Sequence, residues 1–278
     1  MCARKAFFLA IEHSFRKGDS LASGMSMFNK AYGYILRHPA TRRGYWGQWY
    51  YRTRYEKVMS HLQELCLCQK KTVVELGCEK GTYAKLLEKA NCISDYVGCD
   101  VEAKFLRLAY RGQRIGYLLC DIQQLPFKKR CTDIVLCSEV LEHLVAPYEV
   151  LVDLSELATE AVLITFPEEK PLSMLGDRHP EHISNIRREL VTQTLESRGF
   201  AIVASSQIFT SFIPCGFLEF LRVPRNSLTQ TAIGLGDTIL KRIAPSVLVP
   251  HKTMLIVAER LGARKDECGR FSQMKRVR

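Results

Sequence analysis

The chain of 278 residues lacks any apolar run as long as the roughly 20 residues that a membrane-spanning helix requires. The longest candidate, residues 209–221, is interrupted by Pro214, Gly216 and Glu219. A short apolar run near the N-terminus ends at Glu12, which is too early for a secretory signal. The sequence also has no internal repeat and no low-complexity tract. With 47% hydrophobic and 25% charged residues, it predicts an ordinary soluble globular protein.

The eleven cysteines include no C-x-x-C pair, and Cys66 and Cys68 are the two that lie nearest in sequence. An odd and scattered set of thiols argues against a disulfide framework and against a zinc ribbon. We therefore expect a reducing, cytoplasmic setting.

Positive charge is concentrated at the two ends of the chain. Residues 1–71 contain 13 Lys and Arg against 4 Asp and Glu, residues 261–278 contain 6 against 2, and the middle has a net charge of −2. Basic flanks can serve nucleic acid, an anionic membrane surface or an acidic substrate, or can simply keep the protein soluble. The composition predicts a helical basic extension over residues 1–65, a main domain over 66–260 and a basic, disordered tail over 261–278.

Short apolar segments alternate with helical patterns through the middle of the chain, as is typical of strands buried on both faces of a sheet. The predicted strands are Thr72–Leu76, Tyr96–Asp100, Gly116–Asp121, Asp133–Ser138, Ala161–Phe166, Ala201–Gln207 and Thr253–Glu259. The predicted helices are Thr82–Lys89, Ala103–Arg111, Tyr148–Leu157 and Arg187–Ser197, the last with a C-terminal cap at Gly199. This alternation predicts an α/β fold with a doubly wound, Rossmann-like parallel sheet, and residues 208–250 form a helical insert before the last strand.

The first two predicted strands end in residues that are suited to a nucleoside ligand. Glu75-Leu76-Gly77-Cys78-Glu79-Lys80-Gly81 leads from the first strand into a helix, and glycines there let the backbone approach a ligand at a helix N-terminus. The second strand ends in Asp100, whose carboxylate can accept hydrogen bonds from both ribose hydroxyls. Each feature alone fits a structural turn or a helix cap equally well.

The third and fourth strands make the pattern specific. They lead into Cys120-Asp121-Ile122-Gln123-Gln124-Leu125-Pro126-Phe127, and into Ser138-Glu139-Val140-Leu141-Glu142-His143-Leu144. Together with the first two segments, these resemble the class I S-adenosylmethionine-dependent methyltransferases, in particular the type 11 group that includes enzymes of ubiquinone and menaquinone biosynthesis. The resemblance covers roughly residues 45–207 and implies the seven-stranded methyltransferase sheet, with S-adenosylmethionine as cofactor.

The resemblance assigns cofactor-binding roles position by position. Glu75, Gly77 and Gly81 match the glycine-rich turn around the methionine portion, and Asp100 matches the acidic residue on the ribose. The family usually has glycine where this chain has Glu79, which adds negative charge near a cationic sulfonium.

The same resemblance assigns residues that contact the adenine and the methionine amine of the cofactor. Asp121 matches the acidic residue that accepts from the adenine amino group, and Ile122 beside it packs on the ring. Ser138 ends the fourth strand, where the backbone faces the methionine amine.

Candidate catalytic groups follow the fourth strand and a later loop. Glu139, Glu142 and His143 have E-x-x-E-H spacing, so that all three share one face if the segment is helical. His182 falls after the fifth strand, on the same carboxyl edge of the sheet. Glu142, His143 and His182 are therefore candidates for the catalytic base or a substrate contact.

Two carboxylates and two imidazoles would also make a site for Mg²⁺, Mn²⁺ or Zn²⁺. They belong to Glu139, Glu142, His143 and His182. The set resembles that of metal-dependent O-methyltransferases of quinone biosynthesis and of small-RNA 3′-terminal 2′-O-methyltransferases. Many type 11 enzymes, however, carry S-E-x-L-E-H as a packing and capping motif.

Three functions remain open at this point. The first is an O-methyltransferase for a small or lipophilic acceptor such as a quinone precursor, a lipid-linked compound or a sugar, with peripheral membrane contact through the apolar, basic insert. The second is a metal-dependent RNA 2′-O-methyltransferase, which the basic flanks favour, although no RNA-binding motif is recognisable. The third is a cofactor-binding scaffold without activity, which Glu79 alone favours. The sequence does not predict an oligomeric state.

Overall fold

The computed structural model describes residues 45–169, 181–210, 224, 226–233, 235 and 251–263. The strands of this part are β1 (Lys71–Leu76), β2 (Ile93–Asp100), β3 (Ile115–Leu119), β4 (Thr132–Ser138), β5 (Ala158–Glu169), β6 (Phe200–Thr210) and β7 (His251–Arg260). They form one mixed seven-stranded sheet in the order β3-β2-β1-β4-β5-β7-β6. The predicted α/β fold and its doubly wound sheet are thereby confirmed.

The helices of the described residues are α1 (Tyr45–Leu65), α2 (Thr82–Lys89), α3 (Ala103–Arg107), α4 (Pro147–Leu157) and α5 (Arg188–Ser197), with a 3₁₀ turn at Leu141–His143. Residues 227–233 of the insert are also helical. Helix α5 ends where Gly199 adopts φ 82°, as the predicted C-terminal cap requires. No helix in these ranges is long and apolar enough to cross a bilayer.

Helix α3 is shorter than the predicted Ala103–Arg111. It ends at Arg107 because the following residues bond elsewhere. The Tyr110 amide donates to the Lys80 carbonyl at 3.0 Å, and the Tyr110 hydroxyl donates to Glu88 at 2.7 Å. These tertiary hydrogen bonds pull the chain out of the helical path that its local pattern favours.

The register of the parallel strands brings their carboxyl ends to one edge. Leu76 of β1 pairs with Cys99 of β2 and with Cys137 of β4, and Ser138 pairs with Thr165 of β5. The turns after β1, β2 and β4 therefore open side by side. Three of the predicted cofactor residues, Glu75, Asp100 and Ser138, lie at the ends of these strands.

Two compact units share the chain. The unit that carries most of the sheet, called here the sheet unit, comprises residues 55–167, 183–206 and the described residues from 254 onward. Its core consists of apolar side chains from β1, β4, β5, the start of β6 and the flanking helices. Among them are Leu76, Leu136, Leu151, Phe166 and Phe200, each at most 1% exposed. Burial of this kind stabilises a fold by about 25 cal/mol per Å² of apolar surface.

The second unit comprises residues 1–54, 168–182 and 207–253, of which the structure describes only parts. In it the Arg54 guanidinium lies over the Tyr51 ring, 5.1 Å from the ring centroid. The predicted helical extension is described only from residue 45. Residues 1–44, most of the 208–250 insert and the tail from residue 264 lie outside the described residues.

Candidate functional site

The turn after β1 begins from a buried carboxylate. Glu75 is 3% exposed, and the Tyr96 hydroxyl donates a hydrogen bond to it. Burial, and then the nearby Glu75 carboxylate, raise the pKa of Tyr96 well above its usual range, so the phenol stays protonated and remains a donor. Glu75 is thus fixed beneath the turn.

Two glycines of the turn occupy positions where any side chain would be both strained and crowded. Gly77 and Gly81 have φ values of 73° and 69°. A Cβ on Gly77 would lie 2.3 Å from a methyl group of Val140, and one on Gly81 would lie 2.1 Å from the Tyr117 hydroxyl. The amide of Gly77 also donates to the Cys99 carbonyl at 2.8 Å, which ties the turn to β2. Helix α2 starts at Thr82, so the amides of its first turn are presented at this edge.

Glu79 departs from the family pattern at a position where the backbone favours glycine. Its φ is 44°, in the left-handed region. Its amide donates to one oxygen of Asp100 at 2.9 Å, while the Glu102 amide donates to the other at 2.8 Å. Asp100 is only 6% exposed, yet each of its oxygens retains a lone pair for a ligand hydroxyl.

At the adenine end, Asp121 is exposed, and one of its oxygens accepts the Gln123 amide at 2.9 Å. Ile122 is 7% exposed and belongs to the hydrophobic core. Val101, which sequence reasoning missed, directly follows Asp100 and is 69% exposed. Its exposure follows from the fold and has no signal in the sequence.

Ser138 lies in a chain of hydroxyl groups. Its Oγ is 2.8 Å from Oγ1 of the buried Thr165 and 3.4 Å from the Tyr83 hydroxyl. Tyr83 in turn packs edge-on against Tyr55, with ring centroids 4.9 Å apart. This network ties the end of β4 to α2 and β5, and no sequence motif marks Thr165 or Tyr83 as its members.

The predicted helical face that would join Glu139 to Glu142 and His143 is absent. Glu139 has φ 58° and lies outside the 3₁₀ turn, which covers only Leu141–His143. Its amide donates to the Thr165 carbonyl at 2.8 Å, so the backbone follows β5 before it turns. The helical condition under which Glu139 would share a face with the other two side chains is therefore not met, and its role as a metal ligand stays a prediction.

Glu142 and His143 do lie together. The Glu142 side chain is 2% exposed, the His143 side chain is 39% exposed, and a Glu142 oxygen lies 3.9 Å from His143 Nε2. The Glu142 carbonyl accepts the amides of Ile183 and Ser184 at 2.8 and 3.0 Å. His182 is half-buried and immediately precedes Ile183 in the chain.

Comparisons with known proteins agree with this geometry. Residues 74–161 match the type 11 methyltransferase domain model. The 4+2 cyclase SpnF superposes with a TM-score of 0.53 at 14% identity, covering 73% of this chain and 80% of SpnF. Magnesium protoporphyrin IX methyltransferase from Synechocystis PCC 6803, with bound SAM, gives 0.51 at 15% identity, covering 76% and 80%. A protein from Bacillus halodurans gives 0.51 at 17% identity, covering 72% and 97%. No curated protein matches the chain by sequence.

At such identities the structural likeness shows the fold alone, and one of these similar structures is that of a cyclase. The sequence match is confined to residues 74–161, about a third of the chain, and identifies that segment as a methyltransferase domain of the type 11 group. The protein is an S-adenosylmethionine-dependent methyltransferase. The residues present fit this cofactor, because the turn after β1 leads directly to the first amides of α2, and Asp100 and Asp121 keep acceptor capacity for a ribose and an adenine amino group.

Proposed function

We propose that this methyltransferase acts on an oxygen atom of a small or lipophilic acceptor, such as a quinone precursor, a lipid-linked compound or a sugar. The observation that carries the proposal is the pairing of buried Glu142 with the more exposed His143 at the carboxyl edge of the sheet. Bound S-adenosylmethionine supplies an electrophilic methyl group, so the protein has to orient the acceptor, exclude water and remove a proton.

A base is needed most when the acceptor atom is a hydroxyl oxygen, which is a weak nucleophile while it holds its proton. In the proposed mechanism His143 takes that proton at an imidazole nitrogen. The Glu142 carboxylate, 3.9 Å from Nε2, stabilises the resulting imidazolium through its charge. His182 is the alternative base, because it directly precedes Ile183, whose backbone amide donates to the Glu142 carbonyl.

Apolar surface near this pair supports a lipophilic acceptor. Val145 is 76% exposed and lies two residues after His143. Ile183, whose amide binds the Glu142 carbonyl, is 57% exposed. We interpret Val145 and Ile183, beside Glu142 and His143, as part of the surface that contacts the acceptor. The predicted contribution of the 208–250 insert falls mostly outside the described residues.

A tritiated-methyl transfer screen against lipid, RNA and small-molecule fractions tests the proposal. We expect label in the lipid or small-molecule fraction, in a base-stable ether linkage. The His143→Asn substitution should then lower kcat by about 10²–10⁴-fold, the usual contribution of a general base. His61→Asn, which changes a histidine of α1 that pairs with Glu64, is the matched control. Cofactor binding without transfer to any fraction would instead indicate the inactive scaffold.

A metal-dependent RNA 2′-O-methyltransferase is the second candidate. Glu142 and His143 together offer a carboxylate oxygen and an imidazole nitrogen, and His182 is one residue away from a segment bonded to Glu142. A divalent ion held by these residues would lower the pKa of an acceptor hydroxyl. This candidate requires label in RNA, loss of activity with EDTA, recovery with Mg²⁺, Mn²⁺ or Zn²⁺, and salt-sensitive heparin retention. Flotation with liposomes would instead support the lipophilic acceptor and peripheral membrane contact.

A further inference from the structure

A cavity opens at the opposite edge of the sheet from the predicted cofactor residues. It has a volume of about 560 Å³, within the range of small-molecule sites. It lies in the sheet unit where β4 and β5 begin and where α4 and α5 end, and residues 261–263 form part of its rim. Strand β4 separates the two edges by its seven residues, or about 20 Å.

The lining of this cavity is strongly cationic. Lys129, Arg130, Arg198 and Arg260 contribute four positive charges, against the single carboxylate of Glu156. Glu156 is shared between Lys129, at 2.6 Å, and Arg198. Loss of hydration, and then repulsion from Arg130 and Arg198, lower the pKa of Arg260. The positive charge is thus only partly neutralised by the protein itself.

Arg260 has a structural role that accounts for its own charge. Its Nη2 donates to the Ser155 carbonyl at 2.7 Å and its Nε to the Ala158 carbonyl at 3.1 Å. Its guanidinium also lies 4.3 Å from the centroid of the Phe200 ring. Arg260 therefore caps the end of α4, as cations commonly do at helix C-termini. Within the described ranges of the chain, the Arg130 guanidinium makes no comparable structural contact.

Arg130 is held beside the cavity in an unfavourable backbone conformation. Its φ is 55°, and its amide donates to the Glu156 carbonyl at 2.8 Å. Among the described residues, no hydrogen bond or ion pair engages its guanidinium, which leaves its donors for a ligand. A left-handed residue other than glycine, asparagine or aspartate is uncommon and is a reason to look for a function.

We propose that this cavity binds a phosphate-bearing small molecule through Arg130, Lys129 and Arg198, at a site separate from that of the cofactor. A guanidinium group can donate two parallel hydrogen bonds to two oxygens of one phosphate. The excess of positive charge in the lining favours a multiply charged anion. An open depression of this size has room for a pyrophosphate or a phosphorylated metabolite. The proposal does not depend on the identity of the methyl acceptor.

Calorimetric titration of the full-length protein with inorganic pyrophosphate at low ionic strength tests it. The informative variant is Arg130→Asn, since asparagine tolerates the left-handed backbone, and a thermal melt verifies its folding. The matched control is Lys128→Asn, which removes the same charge from an exposed residue that does not line the cavity. We expect binding to weaken by about tenfold or more for Arg130→Asn and by less than about threefold for Lys128→Asn.

Lys129→Gln provides a second variant on an exposed side chain, and it should also weaken binding more than the control does. Saturation with S-adenosylhomocysteine should leave pyrophosphate affinity unchanged. The proposal is overturned if the parent protein does not bind pyrophosphate at millimolar concentration, if the control weakens binding as much as Arg130→Asn, or if the cofactor product competes. Binding of an RNA oligonucleotide that depends on Arg130, without pyrophosphate binding, would likewise overturn it in favour of nucleic acid.

Discussion

The Asp100 carboxylate accepts the backbone amide of Glu79 at 2.9 Å, so the predicted ribose ligand also holds the turn that cradles the methionine portion. A single side chain at the end of β2 thus connects two parts of the predicted cofactor site. Both elements are fixed before any ligand binds, which reduces the ordering that binding requires.

Replacement of Asp100 by asparagine should weaken S-adenosylmethionine binding by about 1.5–3 kcal/mol, the usual contribution of hydrogen bonds to a charged group. Asparagine preserves one acceptor for the buried amides, so the fold should persist. Isothermal titration measures the change, and Asp95→Asn, on an exposed residue of the same strand, is the control. An unchanged dissociation constant for Asp100→Asn would remove this residue from the site.

Glu79→Gly should raise the free energy of unfolding by about 0.5–1 kcal/mol. The left-handed backbone costs a residue with a Cβ roughly 1–2 kcal/mol, and the entropy of glycine in the unfolded chain offsets part of the gain. Glu79→Ala removes the charge but keeps the Cβ, so it should give no such gain. Urea denaturation of both variants separates backbone strain from charge, and equal stabilisation by both would refute the strain argument.

Gly81→Ala should destabilise the protein by about 2–4 kcal/mol, because it adds steric overlap with Tyr117 to the cost of a positive φ. Gly199→Ala is a matched control with φ 82° and no atom within 4 Å of the added Cβ, so it should cost only about 1–2 kcal/mol. Adding Tyr117→Phe to Gly81→Ala removes the nearest atom and should recover part of the difference. Thermal melts of these variants supply the comparison.

Tyr117 should also make the free energy of unfolding fall at alkaline pH. Burial, and then the nearby Cys78 and Glu75, raise the pKa of Tyr117 to about 12. Because the unfolded chain loses this proton first, near its ordinary value of about 10, the stabilising contribution is complete below pH 10 and falls as pH rises towards 12. The difference in unfolding free energy between the parent and Tyr117→Phe should shrink between pH 9.5 and about 11.5. A constant difference would mean that Tyr117 titrates normally.

The sequence predicted those parts of the fold whose signal is local. Buried parallel strands are continuous apolar runs, and the turn glycines lie at fixed offsets after them, so β1, β2 and β4 were located to within a few residues. Helix α3 and the backbone at Glu139 were mispredicted because hydrogen bonds from distant segments set them. The cationic cavity could not be predicted at all, since Arg130, Arg198 and Arg260 meet only after the sheet has formed.

Glu142 should act as a positioning residue for His143, and its variants separate this role from a purely structural one. Glu142→Gln keeps the volume of the buried side chain but removes the charge that stabilises an imidazolium 3.9 Å away. We expect kcat to fall by about 10- to 100-fold, with the dissociation constant for S-adenosylmethionine and the KM for the acceptor nearly unchanged. Glu142→Asp restores the charge and should recover part of the rate, whereas Glu149→Gln, on an exposed residue of α4, should have no effect. If Glu142→Gln instead lowers the melting temperature and weakens cofactor binding without a selective loss of kcat, the pair serves packing, and the base must be sought at His182.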